Sequence, residues 1–116
     1  IIRHQDYEMQ NHSNDIALIR MDKPINFAGN ESHLKPACLD LNGLEKNLDS
    51  KTRCVAAGFG DSGSPLQCFI NNNWIQIGIA WSETDCEQNP TVYQKIYKYA
   101  DFIRNTSSYE LPASCN

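Results

Sequence analysis

The chain has 116 residues, of which 41% are hydrophobic and 21% are charged, a composition typical of a globular domain rather than of a disordered segment. The net charge of −4 comes without a cluster of lysine or arginine residues, which argues against a nucleic-acid partner. No apolar run reaches the length of a membrane span, which argues against a membrane protein. A chain of this length holds one modest hydrophobic core.

The first half of the chain predicts little regular structure. Residues 1–13 are interpreted as a strand end followed by a polar loop, and residues 16–21 as a short strand with Asp15 at its beginning. Residues 22–51 form a long connection that is punctuated by prolines and glycines. A lone histidine in a polar loop is usually a solvated side chain, so none of the histidines is predicted to be catalytic. They are His4, His12 and His33.

From Thr52 onward the sequence favours β-structure and then a helix. Residues 66–70 form a strand-like run, Asn71–Asn73 a turn, and residues 74–81 a second strand. By the period-2 rule, one face of that second strand carries Ile75, Ile77, Ile79 and Trp81. Residues 98–104 are predicted to be helical, because apolar side chains recur there at i, i+3 and i+4. These side chains are Tyr99, Phe102 and Ile103.

The cysteines and three glycosylation sequons point to an oxidising compartment. Five cysteines in so short a chain are typical of secreted proteins, in which disulfides persist. Asparagines that begin an Asn-x-Ser tripeptide accept N-linked glycans in secreted proteins. Here they are Asn11, Asn30 and Asn105. We therefore expect a secreted, extracellular protein.

The segment from Gly60 to Leu66 reads Gly-Asp-Ser-Gly-Ser-Pro-Leu and presents Ser62 on a tight turn before a strand. Gly60 and Gly63 permit a positive φ or a close approach by a substrate, because glycine has no Cβ. A serine hydroxyl becomes an effective nucleophile when a turn exposes it, a base accepts its proton and N–H groups bind the oxyanion. The same residue types also populate ordinary polar loops, so the segment alone leaves both interpretations open.

This segment resembles the nucleophile motif Gly-Asp-Ser-Gly-Gly-Pro-Leu of the trypsin/chymotrypsin-like serine endopeptidases, with Ser64 in place of the third glycine. Other blocks resemble the same family in the same order. They are residues 4–7 (its His-Pro-x-Tyr segment), 14–20 (its Asp-Ile-Ala-Leu segment), 35–39 (its Pro-x-Cys-Leu segment), 54–60 (its Cys-x-x-x-Gly-Trp-Gly strand) and 77–93 (its Gly-Ile-Val-Ser-Trp-Gly to Val-Tyr region). Several blocks in one order are far more specific than a single motif.

The resemblance implies an all-β fold, namely a partial trypsin-like double β-barrel with a C-terminal helix packed on the second barrel. Family domains are roughly twice as long as this chain, so we expect a single incomplete domain. Residues 1–51 are then the end of the first barrel and the inter-barrel linker, residues 52–105 a truncated second barrel with the helix, and residues 106–116 a polar tail. Gly60 ends one family block and begins the next, so a segment that separates these blocks in the family is absent here.

The resemblance also implies the catalytic roles. Ser62 is the nucleophile, Asp15 orients a catalytic histidine, and the N–H groups of Gly60 and Ser62 bind the oxyanion, in the triad for which this family is the reference case. No histidine of the chain matches the family block that carries the general base, and losing an essential triad member costs on the order of 10⁶ in turnover. We therefore expect a serine-type endopeptidase domain that is inactive as this truncated chain. The alternative is a non-catalytic secreted homologue that acts as a binding or decoy module.

The substrate cleft is implied to include Trp81 as a wall, although simple core packing would also explain that side chain. Ser82 and Thr91 stand where the family has glycines, and their side chains would narrow the pocket, so a small P1 residue is expected. Protein or peptide substrates, paired as an added strand, are the expected partners. No cofactor is implied, and no group of metal-ligating residues has the required spacing.

Three expectations concern the cysteines. Cys54 and Cys68 match a disulfide pair of the family, and closing that short loop would contribute roughly 3 kcal/mol in the loop-entropy account. Cys38 matches a cysteine that in many members bonds to an upstream light chain or regulatory domain. Cys86 and Cys115 are left open, since they could pair with each other, form an intermolecular bond or remain free thiols.

Overall fold

The computed structural model of the protein describes residues 1–58, 62–81, 91–112 and 115. Their contacts divide the chain into two compact units. The first unit contains Ile1–Pro36 and Asp101–Glu110, and the second contains Ala37–Ala100 and Leu111–Asn116. The chain therefore leaves the first unit after Pro36 and returns to it at Asp101.

The first unit is built on a short antiparallel pair of strands and a helix. Strand β1 (Ile2–Arg3) pairs with β2 (Ala17–Leu18), and the N–H of His4 continues the pairing by donating to the carbonyl oxygen of Ile16 over 3.0 Å. Helix α1 (Ala100–Ser107) follows a 3₁₀ helix formed by Ile96–Tyr99.

The C-terminal helix appears where the apolar periodicity predicted it. Tyr99 and Ile103 are buried, with 4% and 5% of their surfaces exposed, and Phe102 is half-buried. Residues from Asp101 onward nevertheless belong to the first unit, where the Phe102 ring lies 4.8 Å from the His4 ring. The expectation that the helix packs on the second barrel stays a prediction. In the described parts of the chain, no helix is long and apolar enough to span a bilayer.

The second unit is a five-stranded sheet. Its strands are β3 (Cys38–Leu39), β4 (Cys54–Ala56), β5 (Pro65–Ile70), β6 (Asn73–Ala80) and β7 (Tyr93–Lys95). They follow the order β3-β6-β5-β4, and β7 also pairs with β6. All pairs are antiparallel except β3 with β6, which is parallel. The described residues form mostly β-structure and one short C-terminal α-helix, which confirms the predicted fold class.

A tight turn joins β5 to β6, as the sequence predicted. Asn71 and Asn72 both have positive φ angles, 51° and 63°. Asparagine tolerates this left-handed conformation better than other non-glycine residues do, and two such residues in succession suit the twist of a hairpin. Asn73 already belongs to β6.

A β-bulge in this hairpin changes which side chains of β6 face the core. Leu66 pairs with Gly78, whereas the next residue, Gln67, pairs with Gln76, so Ile77 has no directly opposed partner. An extra residue on one strand reverses the alternation beyond it. Ile75 and Ile77 are buried, but Ile79 is only half-buried and the neighbouring Ala80 is buried instead. The prediction of one continuous apolar face up to Trp81 therefore fails after Ile77.

A hydrophobic core cluster of the second unit is formed by residues of β5 and β6. Cys68 is completely buried and groups with Ile75 and Ile77. Partly buried apolar side chains pack against this group: Cys38, Leu44, Leu48, Leu66 and Ile70. The cross-strand pair Cys54 and Cys68 is joined by a disulfide, with the Cα atoms 4.0 Å apart. On β5 and β6, Phe69 and Trp74 pair outside this core, with ring centroids 5.4 Å apart and both rings partly exposed.

A buried carboxylate orders the connection after β3. Asp40 is 1% exposed, and its two oxygens accept hydrogen bonds from the N–H groups of Leu44 and Glu45 over 2.7 and 2.9 Å. These donors belong to the first turn of the 3₁₀ helix Leu44–Asn47, where backbone N–H groups have no partner within the helix. Asp40 is thus a cap that the sequence did not reveal.

Cys38 has a partner within this chain. It forms a disulfide with Cys115, 77 residues further along, and their Cα atoms lie 5.6 Å apart. The expectation that Cys38 bonds to an upstream light chain or regulatory domain is corrected by this bond, which already uses its sulfur. The same bond decides the open question about Cys115, while Cys86 lies outside the described residues.

Candidate active site

Ser62 lies on an exposed turn at the end of the β5–β6 pair. The N–H of Gly63 donates to the carbonyl oxygen of Ala80 over 2.7 Å, and the N–H of Ala80 donates to the carbonyl oxygen of Ser64 over 2.8 Å. These two bonds continue the antiparallel ladder past its last strand pair. The turn that carries the candidate nucleophile is therefore held by backbone hydrogen bonds to β6 and presents its serine to solvent.

Glycine at position 63 fits the conformation of this turn. Its φ angle is +91°, which residues other than glycine rarely adopt. A Cβ at this position would nevertheless meet no atom within 4 Å. The requirement for glycine is thus conformational rather than steric. This agrees with the reason for which the sequence singled out Gly63.

Ser64, which replaces a family glycine, contacts the backbone at the end of β4. A Cβ built on Gly58 would lie 2.6 Å from the Ser64 Oγ and 3.2 Å from its Cβ. The N–H of Ala57 also reaches the carbonyl oxygen of Pro65 over 3.4 Å. The chain before the turn and the chain after it therefore lie side by side, and the Ser64 side chain fills the space beside Gly58. Sequence reasoning noted the substitution at Ser64 but not this contact.

The remaining parts of the predicted oxyanion site stay a prediction. Gly60 lies outside the described residues, so the structure describes only Ser62 of the two residues whose N–H groups were assigned to the oxyanion.

Asp15 lies in the first unit and Ser62 in the second. Asp15 is exposed and directly precedes the segment that leads into β2. A tight local turn forms here, since the N–H of Ile16 donates to the carbonyl oxygen of Asn14 over 2.8 Å. The role of Asp15 in orienting a histidine stays a prediction.

The histidines have local surroundings that suit structural roles. His4 is half-buried against Phe102, and its Nδ1 accepts a hydrogen bond from the N–H of Asp6 over 3.1 Å. This packing differs from the solvated side chain expected for it. His12 has a φ angle of 54° in the loop before β2, and His33 is exposed.

Two of the three predicted cleft residues are described. Trp81 is 36% exposed, which is more than a core side chain shows. Its backbone N–H donates to the carbonyl oxygen of Val92 over 2.9 Å. Thr91, next to Val92, is also exposed, whereas Ser82 lies outside the described residues. The backbone bond thus brings Trp81 close to Val92, the neighbour of Thr91. Their assignment to a substrate cleft stays a prediction.

No candidate metal centre accompanies these residues. Within residues 1–58, 62–81, 91–112 and 115, no group of three or more histidine, cysteine, aspartate or glutamate side chains could hold a metal ion.

Comparison with known proteins identifies the chain as similar to serine proteases. The profile of the family described as Trypsin matches residues 45–103. Thrombin-like enzyme cerastocytin of Cerastes cerastes is 32% identical over 99 residues, which cover 69% of this chain and 38% of that protein. Snake venom serine protease rhinocerase 4 of Bitis rhinoceros is 30% identical over 99 residues, which cover 69% of this chain and 37% of that protein.

A shorter match of higher identity is found in a mammal. Serine protease 28 of Mus musculus is 44% identical over 39 residues, which cover 33% of this chain and 14% of that protein. No solved structure is similar enough to count as a match.

The lengths of these alignments show how this chain differs from its relatives. The alignment with cerastocytin is 99 residues long but includes only 69% of the 116 residues of this chain. Cerastocytin therefore has residues within the matched region that this chain lacks. The chain spans less than two fifths of the length of either venom protein. Because the Trypsin profile covers more than half of its residues, the chain belongs to the trypsin family of serine proteases, as a partial member.

Proposed function

We propose that this chain is part of a serine-type endopeptidase domain in which Ser62 is the nucleophile. The observation that carries the proposal is the exposed turn at Ser62, which two backbone hydrogen bonds between residues 63–64 and Ala80 hold against β6. Family membership supports the assignment, because the turn occurs within the stretch that the Trypsin profile matches.

The proposed reaction is acyl transfer followed by hydrolysis. The Ser62 Oγ attacks the carbonyl carbon of the scissile peptide bond while a histidine accepts its proton, and Asp15 orients that histidine. The N–H groups of Gly60 and Ser62 stabilise the oxyanion of the tetrahedral intermediate. The histidine then protonates the leaving amine, and water releases the acyl group from Ser62 by the reverse sequence of proton transfers.

The 116 residues alone are proposed to lack useful peptidase activity. None of the three histidines corresponds to the general base of the family, and His4 already uses its Nδ1 to accept the N–H of Asp6. Loss of an essential triad member costs on the order of 10⁶ in turnover. Activity therefore requires a base from sequence outside these residues.

The proposed substrates are extracellular proteins or peptides with a small residue at P1. Ser82 and Thr91 carry side chains where the family has glycines, which narrows the proposed pocket. Two intrachain disulfides and a relative named as a venom protease support a secreted location. Strong cleavage after arginine or phenylalanine in a peptide library would contradict the proposed preference.

A second candidate function is a non-catalytic binding module. One observation favours it, namely the replacement of a family glycine by Ser64 beside Gly58. Such a module would keep the sheet surface around Trp81 and bind peptides without cleaving them.

Labelling with a fluorophosphonate probe separates the two functions. The probe is applied to the protein purified from its natural source, and the intact mass of the labelled species is measured. A labelled species near twice the 13.1 kDa of this chain supports the peptidase. In recombinant copies of that species, Ser62→Ala should abolish labelling, and Ser50→Ala, a control at an exposed serine, should not. An unlabelled species of 13.1 kDa supports the binding module. Turnover of an acyl ester by the folded 116-residue chain, lost in Ser62→Ala, would overturn the proposed inactivity.

A further inference from the structure

The loop between β1 and β2 presents an asparagine that the proposed chemistry does not use. Asn11 and His12 are exposed at the tip of this loop, and Ser13 completes the sequon. The loop is closed beneath the tip by the N–H of Glu8, which donates to the carbonyl oxygen of Ser13 over 3.1 Å, and by the bridge between these two residues. The tip is thus an ordered projection from the first unit.

Both polar atoms of the Asn11 side chain are engaged in local hydrogen bonds. Its Oδ1 accepts the N–H of Ser13 over 2.9 Å, which forms an Asx turn. Its Nδ2 donates to the Glu8 Oε2 over 2.8 Å. The side chain is therefore held at the loop tip by residues within three positions of it.

We propose that Asn11 is a site of N-linked glycosylation, an inference that rests on the secretion included in the proposed function. The donor is an oligosaccharyl pyrophosphate lipid. A bond forms between the Asn11 Nδ2 and C1 of the first sugar, while the bond from C1 to the pyrophosphate oxygen breaks and its electron pair leaves with the pyrophosphate. The Nδ2 gives up one proton, which offsets the negative charge that the pyrophosphate gains on leaving.

The folded loop accommodates this modification without losing a hydrogen bond. A glycosylated amide keeps its carbonyl oxygen, so the Oδ1 can still accept the N–H of Ser13. It also keeps one hydrogen on the Nδ2, which can still donate to Glu8. The sugar replaces only one of the two hydrogens, and Asn11 is exposed at the tip. A glycan here would shield Met9, which is 76% exposed.

The sequon at Asn105 has a different setting, which makes it an internal comparison. Asn105 lies within helix α1, and the hydroxyl of its third residue, Ser107, donates to the carbonyl oxygen of Ile103 over 2.5 Å. The same hydroxyl accepts the N–H of Tyr109 over 3.2 Å. The hydroxyl is part of the recognised tripeptide, so its use within the helix disfavours modification once the helix has formed. We expect higher occupancy at Asn11 than at Asn105.

The test is a direct measurement of site occupancy. The full 116-residue chain is expressed behind a cleavable leader in a eukaryotic secretory host, and the secreted protein is deglycosylated in ¹⁸O-water. Each glycosylated asparagine is then converted to ¹⁸O-labelled aspartate, which mass spectrometry of the peptides locates. We expect the label on Asn11 in the larger part of the secreted molecules and less label on Asn105.

Sequon variants give matched controls. Asn11→Gln and Ser13→Ala are expected to remove one glycan and increase electrophoretic mobility by one step, whereas Ser13→Thr, which keeps the sequon, is expected to retain it. Secreted chain that is unmodified at Asn11, or that carries more glycan at Asn105, would overturn the proposal. The supplied leader ensures entry into the secretory pathway, so a failure of the natural protein to be secreted would contradict the proposed location without affecting this result. Neither outcome depends on peptidase activity.

Discussion

The side chain of Ser64 lies beside the α-carbon of Gly58, so close that a Cβ on Gly58 would come within 2.6 Å of the Ser64 Oγ. The φ angle of Gly58 is +141°, which residues other than glycine rarely adopt. This contact joins Gly58, just beyond the end of β4, to Ser64, which follows the turn that carries the candidate nucleophile. A conformational and a steric requirement therefore coincide at one glycine.

Substituting Gly58 is expected to be more costly than substituting Gly63. Gly58→Ala imposes both an unfavourable φ and a clash with Ser64, and it should lower the free energy of unfolding by about 2–4 kcal/mol. Gly63→Ala imposes only the unfavourable φ of +91°, since nothing lies within 4 Å of the added Cβ, and it should cost about 1–2 kcal/mol. Urea denaturation of both variants measures the difference.

Adding Ser64→Gly to each alanine variant separates the two causes. It should restore part of the free energy of unfolding that Gly58→Ala loses, because the clashing Oγ is removed. It should restore none of the free energy that Gly63→Ala loses. Equal effects of Ser64→Gly in both backgrounds would show that the contact beside Gly58 is not the cause.

Asp40 is expected to be essential for the order of the 3₁₀ helix that follows it. Asp40→Ala removes the acceptor of two N–H groups, those of Leu44 and Glu45, and should lower the free energy of unfolding by about 1–3 kcal/mol. Asp40→Asn keeps one acceptor oxygen and should have a smaller effect. Asp22→Ala, at an exposed aspartate, is the control and should change stability by less than about 0.5 kcal/mol. If the Asp40→Ala variant were as stable as the Asp22→Ala control, the capping role would be contradicted.

The pKa of Asp49 is expected to lie below the usual range for an aspartate. Its Oδ1 accepts the Thr52 hydroxyl over 3.0 Å and the N–H of Lys51 over 2.9 Å, and these bonds favour the charged form. Thr52→Val should raise the Asp49 pKa toward its ordinary value, whereas Thr52→Ser keeps the hydroxyl and should leave it low. Carboxyl chemical shifts followed through an acid titration measure both variants, and identical titration midpoints would refute the role of the hydroxyl.

The same shift sets the direction of a pH effect on stability. A carboxyl whose pKa is lower in the folded chain than in the unfolded chain stabilises the fold fully above the unfolded pKa of about 3.9. That contribution is lost as the pH falls through the lower, folded pKa. Acid denaturation of Thr52→Val should therefore show a weaker dependence on pH below about 4 than that of the wild type.

The Cys38–Cys115 disulfide is expected to be the stronger of the two constraints on the unfolded chain. It spans 77 residues, against 14 for Cys54–Cys68, and the loop-entropy account gives about 4–5 kcal/mol for the longer loop and about 3 kcal/mol for the shorter. A variant that carries both Cys38→Ala and Cys115→Ala should lose about 4–5 kcal/mol of the free energy of unfolding, measured by denaturant titration. A peptide map without reduction should contain the Cys38–Cys115 pair, and a map linking Cys38 to another polypeptide would instead restore the light-chain expectation.

Local features of this protein could be predicted from the sequence because they depend on neighbouring residues. The turn at Asn71 and Asn72 follows from the tolerance of asparagine for positive φ, and the helical face of Tyr99 and Ile103 follows from their spacing. The family was recognisable from Gly60–Leu66 and the accompanying blocks, which the Trypsin profile over residues 45–103 bears out.

Only the tertiary structure decided the features that depend on distant residues. Spacing could not pair Cys38 with Cys115, because 77 residues of chain allow many closures and three cysteines were left without a clear partner. The bulge at Ile77 arises from register against β5, and no property of β6 alone reveals it. Asp40 looks like an ordinary polar residue until the fold buries it against the N–H groups that need its oxygens. Short-range preferences are properties of the chain itself, whereas pairing, register and burial exist only between segments that folding brings together.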